Sequence, residues 1–105
     1  MKLQVFDKSL MGGGPGDKTY LFFCPGCECR HTYTVRAPGS AERPAWTFNG
    51  DMDRPTFTPS LLYPDKTPRC HLFLTDGRLQ FLDDCGHALA GKTVDLPAIP
   101  EDMRM

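Results

Sequence analysis

Apolar and polar residues alternate over short stretches of this chain, and glycine, proline and aspartate residues separate the stretches. Alternation with a period of two is typical of β-strands that bury one face. The pattern predicts strands at residues 3–6, 18–24, 30–36, 70–75, 78–83 and 93–96. Residues 88–90 form at most one short helical turn, which Gly91 closes. The predicted fold class is therefore mostly β, antiparallel and built from hairpins.

The clearest hairpin signal is the pair Asp76-Gly77, which favours a two-residue turn. The register that follows pairs Thr75 with Arg78, Phe73 with Gln80 and His71 with Leu82. One face of the hairpin then carries Cys70, Leu72, Leu74, Leu79 and Phe81, and the other carries His71 and Phe73. If the second strand continued to Cys85, this cysteine would share the face of Cys70. A break at Asp83-Asp84 would instead make residues 85–87 a second turn.

Residues 54–60 contain two prolines that bracket hydroxyl side chains and an aromatic ring. Proline cannot donate to a sheet ladder, so the segment is predicted to be extended and not a central strand. The hydroxyls of Thr56, Thr58 and Ser60 either line a groove or satisfy local backbone groups, and we favour the second interpretation.

The length of 105 residues predicts one domain, residues 1–105. Residues 1–17 are expected to form a flexible N-terminal strand and glycine-rich loop, and residues 97–105 a frayed tail. The 10 glycines and 10 prolines favour turns, and a core this small leaves a thin margin of stability. A metal ion that clips the chain together would increase that margin.

The charges exclude some function classes. Net charge is −1, and the lysines and arginines are scattered, so nucleic acid is not an expected partner. No apolar run approaches the roughly 20 residues of a membrane helix, and the N-terminus lacks a signal peptide. We therefore expect a cytoplasmic protein that does not bind membranes.

The candidate chemistry is concentrated in residues 24–31. Cys24 and Cys27 flank Pro25-Gly26, a pair that turns tightly and can point both sulfur atoms to one side. Strand-like sequences lie on both sides, which favours a zinc knuckle over a redox pair, because a redox pair normally opens a helix. The predicted domain is therefore zinc-ribbon-like, with Zn²⁺ as its cofactor.

Four thiolates are the favoured ligands of this zinc, since thiolate-rich sets are typical of structural sites. They are Cys24, Cys27, Cys70 and Cys85. The second tier of candidates consists of His87, His31 and His71. Cys29 is expected to be a spectator thiol.

The chain resembles a family of small, largely uncharacterised proteins of bacteriophages and prophages. The resemblance covers most of residues 20–96. It rests on Cys24-Pro25-Gly26-Cys27 with His31, Trp46, Asn49-Gly50-Asp51, the segment 55–60, Cys70-His71, Asp76-Gly77 and residues 84–91. It implies a phage-related origin, hence a bacterial host cytoplasm, and a metal site, but no established activity. Some members carry the label ammonia monooxygenase, which denotes a membrane copper enzyme. In the family a glycine usually follows the knuckle, where this chain has Glu28.

These observations favour a non-catalytic, zinc-stabilised module that binds another protein. The alternative is a small zinc metalloenzyme, hydrolase-like or deaminase-like, in which surplus histidines act as acid and base and Asp83 or Asp84 orients one of them. The deaminase signature itself is absent, because Leu89 stands where the His-x-Glu pattern would place a glutamate after His87. A third interpretation, a zinc ribbon that binds nucleic acid, conflicts with the neutral charge.

Overall fold

The computed structural model describes residues 1–10 and 12–105. Met11, within the predicted flexible segment 1–17, lies outside the described residues. The prediction of a mostly β, antiparallel domain is confirmed. The strands are β1 Gln4–Phe6, β2 Lys18–Cys24, β3 Cys29–Val35, β4 Thr47–Phe48, β5 Phe57–Tyr63, β6 Cys70–Thr75, β7 Arg78–Phe81 and β8 Thr93–Asp95. A 3-10 helix spans Glu101–Met103.

The described strands form two antiparallel sheets. The first has the order β1-β2-β3, and the second has the order β4-β5-β6-β7-β8. Aromatic rings join them, because Tyr33 of the first sheet stacks on Phe57 of the second with ring centroids 4.2 Å apart. Trp46 packs edge-on against Tyr33 and thus borders this aromatic core.

The predicted hairpin register is confirmed. Thr75 pairs with Arg78 and Phe73 pairs with Gln80, and the Leu82 N–H donates to the His71 carbonyl at 3.0 Å. Asp76 and Gly77 both have positive φ, of 51° and 74°, as a type I′ turn requires. The face that carries Cys70, Leu72 and Leu74 is fully buried.

The prediction for residues 54–60 was wrong in one respect. Part of this segment belongs to β5, which lies between β4 and β6 and is therefore not at the sheet edge. The register of β5 against β6 shifts between Phe57 and Leu61, so Pro59 falls in a bulge where no ladder N–H is needed. The Thr56 hydroxyl does satisfy a backbone group, but a distant one, since it accepts from the Asp76 N–H of the β6–β7 turn at 2.8 Å.

The two ends of the described chain meet. The Ile99 N–H donates to the Met1 carbonyl at 2.7 Å, and the Ile99 side chain is fully buried. Residues 88–91 form turns and not a helix, and the helical turn found among the described residues lies further on, at Glu101–Met103. None of the described helices is long and apolar enough to cross a membrane.

Candidate active site and metal centre

Four side chains converge between the two sheets. The ligand atoms of Cys24, Cys27, Cys70 and His87 all lie within 4.8 Å of one another. Cys24 ends β2, Cys27 follows in the knuckle, Cys70 begins β6, and His87 lies in the turn after β7. The knuckle and the start of β6 therefore meet as the sequence indicated, and His87 stands where a fourth thiolate was expected.

Three sulfurs and an imidazole at this spacing suit a single soft or borderline cation. The Cys70 thiol lies 4.0 Å from the Cys24 sulfur, and this hydrogen bond lowers the pKa of Cys24 to about 4. Burial, with the Cys24 thiolate close by, raises the pKa of Cys27 to about 12. One thiolate is thus already favoured, and a cation would offset the repulsion that opposes the others. The donor set fits a metal ion.

Gly26 lets His87 approach the knuckle. A Cβ at residue 26 would overlap the His87 ring, so only glycine leaves room for the imidazole. The Phe81 ring packs edge-on against the His87 imidazole, with ring centroids 4.7 Å apart. His87 Nε2 lies 3.7 Å from the Cys70 sulfur.

Cys85 lies outside this group. Its thiol donates to the His71 carbonyl at 3.1 Å, and its sulfur accepts from the His71 N–H at 3.3 Å. β7 ends at Phe81 and the chain turns at Asp83-Asp84, so the strand parity that would have carried Cys85 to the side of Cys70 no longer applies. The strand thus breaks at Asp83-Asp84, and residues 85–87 form an irregular segment that bends at Gly86 and His87 before the turn at residues 88–91.

The remaining cysteine and histidine near the knuckle form a smaller group. Cys27, Cys29 and His31 bring their ligand atoms within 4.8 Å of one another. His31 is buried, and its Nε2 has no hydrogen-bond partner among the described residues. Its ring stacks on Tyr63 with centroids 4.5 Å apart. Cys27 belongs to both groups.

His71 faces away from the metal-ligand group, as the hairpin parity predicted. On the outer face of the second sheet its Nε2 lies 3.2 Å from Ser60 Oγ, and its Nδ1 lies 3.2 Å from both Asp84 carboxylate oxygens. Hydroxyl, imidazole and carboxylate thus form one hydrogen-bonded chain. This is the geometry of a serine nucleophile, a general base and the carboxylate that orients the base.

Asp84 also binds Arg69. Arg69 Nε and Nη2 donate to Asp84 Oδ2 at 3.1 and 2.9 Å. These hydrogen bonds keep the pKa of Asp84 below its usual value, and His71 lowers it further. The Gly86 N–H donates to the Arg69 carbonyl at 2.8 Å, which ties the turn after Asp84 to the residue before β6.

Ser60 owes its position to the bulge in β5. Residues 58–60 stand opposite the single residue Phe73, because Phe57 pairs with Leu74 and Leu61 pairs with Leu72. The Ser60 carbonyl accepts from Trp46 Nε1 at 3.2 Å. The bulge turns the serine toward His71 on the neighbouring strand.

A family model described as "BubE: Bacterial ubiquitination-like system serine protease" matches residues 2–82. The chain belongs to the BubE family. The matched part of this BubE-family chain includes Ser60 and His71 and ends two residues before Asp84. No curated protein and no solved structure matches the chain.

Sequence reasoning proposed that surplus histidines act as acid and base and that Asp83 or Asp84 orients one of them. It did not pair His71 with Asp84, and it did not find the nucleophile. The chain has three serines, and nothing in the sequence around Ser60 marks it as reactive. The signal that was present is the pair of prolines, which prevents a regular strand at residues 54–60. The bulge that aims the serine follows from that irregularity.

Proposed function

We propose that this BubE-family chain is a serine peptidase in a ubiquitination-like system, with Ser60 as nucleophile, His71 as general base and Asp84 as orienting carboxylate. The observation that carries the proposal is the continuous hydrogen-bonded chain from Ser60 Oγ through the His71 ring to Asp84. The family description supports the same chemistry.

In the proposed reaction Ser60 Oγ attacks the carbonyl carbon of the scissile bond while His71 Nε2 accepts the hydroxyl proton. The C–N bond then breaks, and the amine leaves with the proton from Nε2. Water attacks the acyl ester, giving one proton to His71 Nε2. The acyl group departs as a carboxylic acid, and Ser60 regains its proton from His71. Asp84 holds the Nδ1–H tautomer of His71 throughout.

We also propose that the metal-ligand group binds one zinc ion through Cys24, Cys27, Cys70 and His87. Four protein ligands leave no open position, so the ion would have a structural role and supply folding free energy. Cys70 and His71 are consecutive and point to opposite faces of β6. A filled metal site would therefore fix the strand that carries the general base.

The sequence-based prediction of a non-catalytic module that binds another protein is not confirmed by the family assignment. Under the present proposal the protein partner becomes a substrate. The proposal also differs from the zinc metalloenzyme alternative. It assigns catalysis to His71, a histidine that does not belong to the metal-ligand group, and not to the metal.

The proposal is tested with a fluorophosphonate probe, which reacts covalently with activated serines. Wild-type protein should be labelled, and Ser60→Ala should lose labelling at least on the order of 10³-fold, because the alanine has no nucleophile. Ser40→Ala is the matched control, since the Ser40 hydroxyl accepts from the Glu42 N–H of its own exposed loop. Equal labelling of the two variants would refute the assignment of Ser60.

The role of the carboxylate is tested in the same assay with Asp84→Asn. We expect labelling to slow by about 10²- to 10⁴-fold, because the amide no longer holds the required histidine tautomer. Asp83→Asn is the neighbouring control and should react at the wild-type rate. Similar labelling rates for both variants would show that Asp84 is not needed for catalysis and that the site is a Ser60–His71 dyad.

A further inference from the structure

An apolar groove lies beside Ser60, between β3 of the first sheet and β5 of the second. Its volume is about 380 Å³. The lining residues include Thr32 and Thr34 of β3, Leu61, Leu62 and Tyr63 of β5, and Trp46, and none of the lining side chains is charged. Trp46 also donates to the Ser60 carbonyl, and Leu61 follows Ser60 directly, so the groove is adjacent to the proposed nucleophile.

One wall of the groove presents an unpaired strand edge. β4 pairs with β5 only at Phe57 and Thr58, and Trp46 Nε1 donates to the Ser60 carbonyl, so the edge of β5 is open beyond Ser60. Across the sheet Leu62 pairs with His71, whose N–H and carbonyl bond to Cys85 and Leu82 on the far side. Leu62 and His71 are therefore a non-hydrogen-bonded pair of the antiparallel ladder, and the Leu62 N–H and carbonyl point into the groove.

The opposite wall is partly closed. Tyr63 Oη accepts from the Thr32 N–H at 3.3 Å, and the Trp46 N–H donates to the Thr34 carbonyl at 2.9 Å. The edge of β3 is thereby engaged, whereas Leu62 has no backbone partner on the groove side among residues 1–10 and 12–105. An incoming strand would pair with β5.

We propose that this groove binds the acyl side of an extended peptide substrate, which adds to β5 through the Leu62 backbone and places an uncharged, apolar side chain against Trp46 and Leu62. The proposal rests on the assignment of Ser60 as nucleophile. Successive residues of a strand advance by about 3.3 Å, so the residue opposite Leu62 lies about two residues from the bond that Ser60 attacks. Backbone pairing supplies affinity and the pocket supplies specificity, as in other strand-addition complexes.

The experiment uses acetyl-tetrapeptide coumarin amides that carry Leu, Asp or Lys at each position in turn. At one position within three residues of the scissile bond, kcat/KM should favour Leu over Asp and Lys on the order of tenfold or more. N-methylation of a backbone amide in the best peptide should abolish cleavage at one register position, because the methyl group removes the donor to the Leu62 carbonyl.

On the protein side, Leu62→Lys should lower kcat/KM for the Leu peptide and raise it for the Asp peptide at the same position. Leu62 is 40% exposed, so the variant should fold, and its melting temperature checks this. Val5→Lys places the same change on an exposed strand residue of the other sheet, 43% exposed, and should keep wild-type selectivity.

The outcomes separate this inference from the proposed function. Loss of fluorophosphonate labelling in Ser60→Ala, together with equal cleavage of the Leu, Asp and Lys peptides, would refute the groove and leave the serine peptidase standing. Wild-type protein that the probe does not label would refute the serine peptidase itself. A dimer in size-exclusion chromatography that Leu62→Lys dissociates would assign the edge to a second copy of the chain and overturn the inference.

Discussion

Gly26 lies between the two knuckle cysteines, and its missing side chain is what lets the His87 ring join the sulfur atoms. Glu28, which directly follows Cys27, has a less favourable backbone conformation. Its φ of 54° lies in the left-handed region that favours glycine. Both positions can be recognised in the sequence, which has a glycine inside Cys-x-x-Cys and a non-glycine directly after it. The need of His87 for that glycine could not be predicted, because it depends on contacts between distant residues.

Gly26→Ala should therefore damage the metal centre. The added methyl group would push the His87 ring away from the cysteines, and overpacking of this kind costs about 1–3 kcal/mol. We expect a lower melting temperature and less retained metal by elemental analysis. Gly14→Ala is the control, because a Cβ there meets no atom within 4 Å. Unchanged metal content in Gly26→Ala would show that His87 is not a ligand.

β6 is the element that links the two candidate sites. Its alternation sends Cys70 inward to the metal-ligand group and His71 outward to Ser60 and Asp84. This separation could be predicted, because the Asp76-Gly77 turn fixes the register and consecutive residues of a strand point to opposite faces. The partners of His71 could not, since the β5 bulge and the turn at residues 83–84 are departures from regular pairing.

The two histidines should accordingly respond in opposite ways to substitution. His87→Ala removes a proposed ligand, so metal affinity should fall by more than the roughly 10- to 100-fold typical of losing an outer-shell partner, and the melting temperature should fall with it. His71→Ala should keep the metal and the fold but lose fluorophosphonate labelling. Metal content, melting temperature and labelling of both variants decide the matter. Metal loss in His71→Ala with retention in His87→Ala would reverse the assignment.

At the scale of the whole molecule, the two sheets are joined by contacts between residues far apart in the sequence. The stacked pair Tyr33 and Phe57 is one example, and the Ile99 to Met1 hydrogen bond is another. Alternation predicted most strands but not their division into two sheets, because the pattern states which face is buried and not what buries it. A buried ion pair adds a further long-range link, since Asp17 and Arg36 lie 3.1 Å apart with both side chains almost fully enclosed.

This ion pair should make the stability of the fold depend on pH. Asp17 accepts from the Ala37 N–H at 2.7 Å, from the Gly14 N–H and from Arg36 Nη1, and these bonds keep the pKa of Asp17 below its ordinary value. The native state then binds the Asp17 proton less tightly than the unfolded chain. The stabilisation is present above the unfolded pKa of about 3.9 and is lost as the pH falls through the lower native value.

Asp17→Asn should therefore melt at a lower temperature than wild type at pH 7, because Arg36 loses its buried counter-charge. The difference should shrink as the pH falls below the unfolded pKa and through the lowered native pKa of Asp17, because the wild-type carboxyl then becomes protonated as well. Melting curves by circular dichroism across this range test the expectation. Asp7→Asn is the matched control. Asp7 is exposed and lies 4.0 Å from Lys18 Nζ, and an exposed ion pair of this kind contributes little to the free energy of unfolding. A constant difference between Asp17→Asn and wild type at all pH values would show that the hydrogen-bond geometry of the side chain, and not its charge, stabilises this part of the fold.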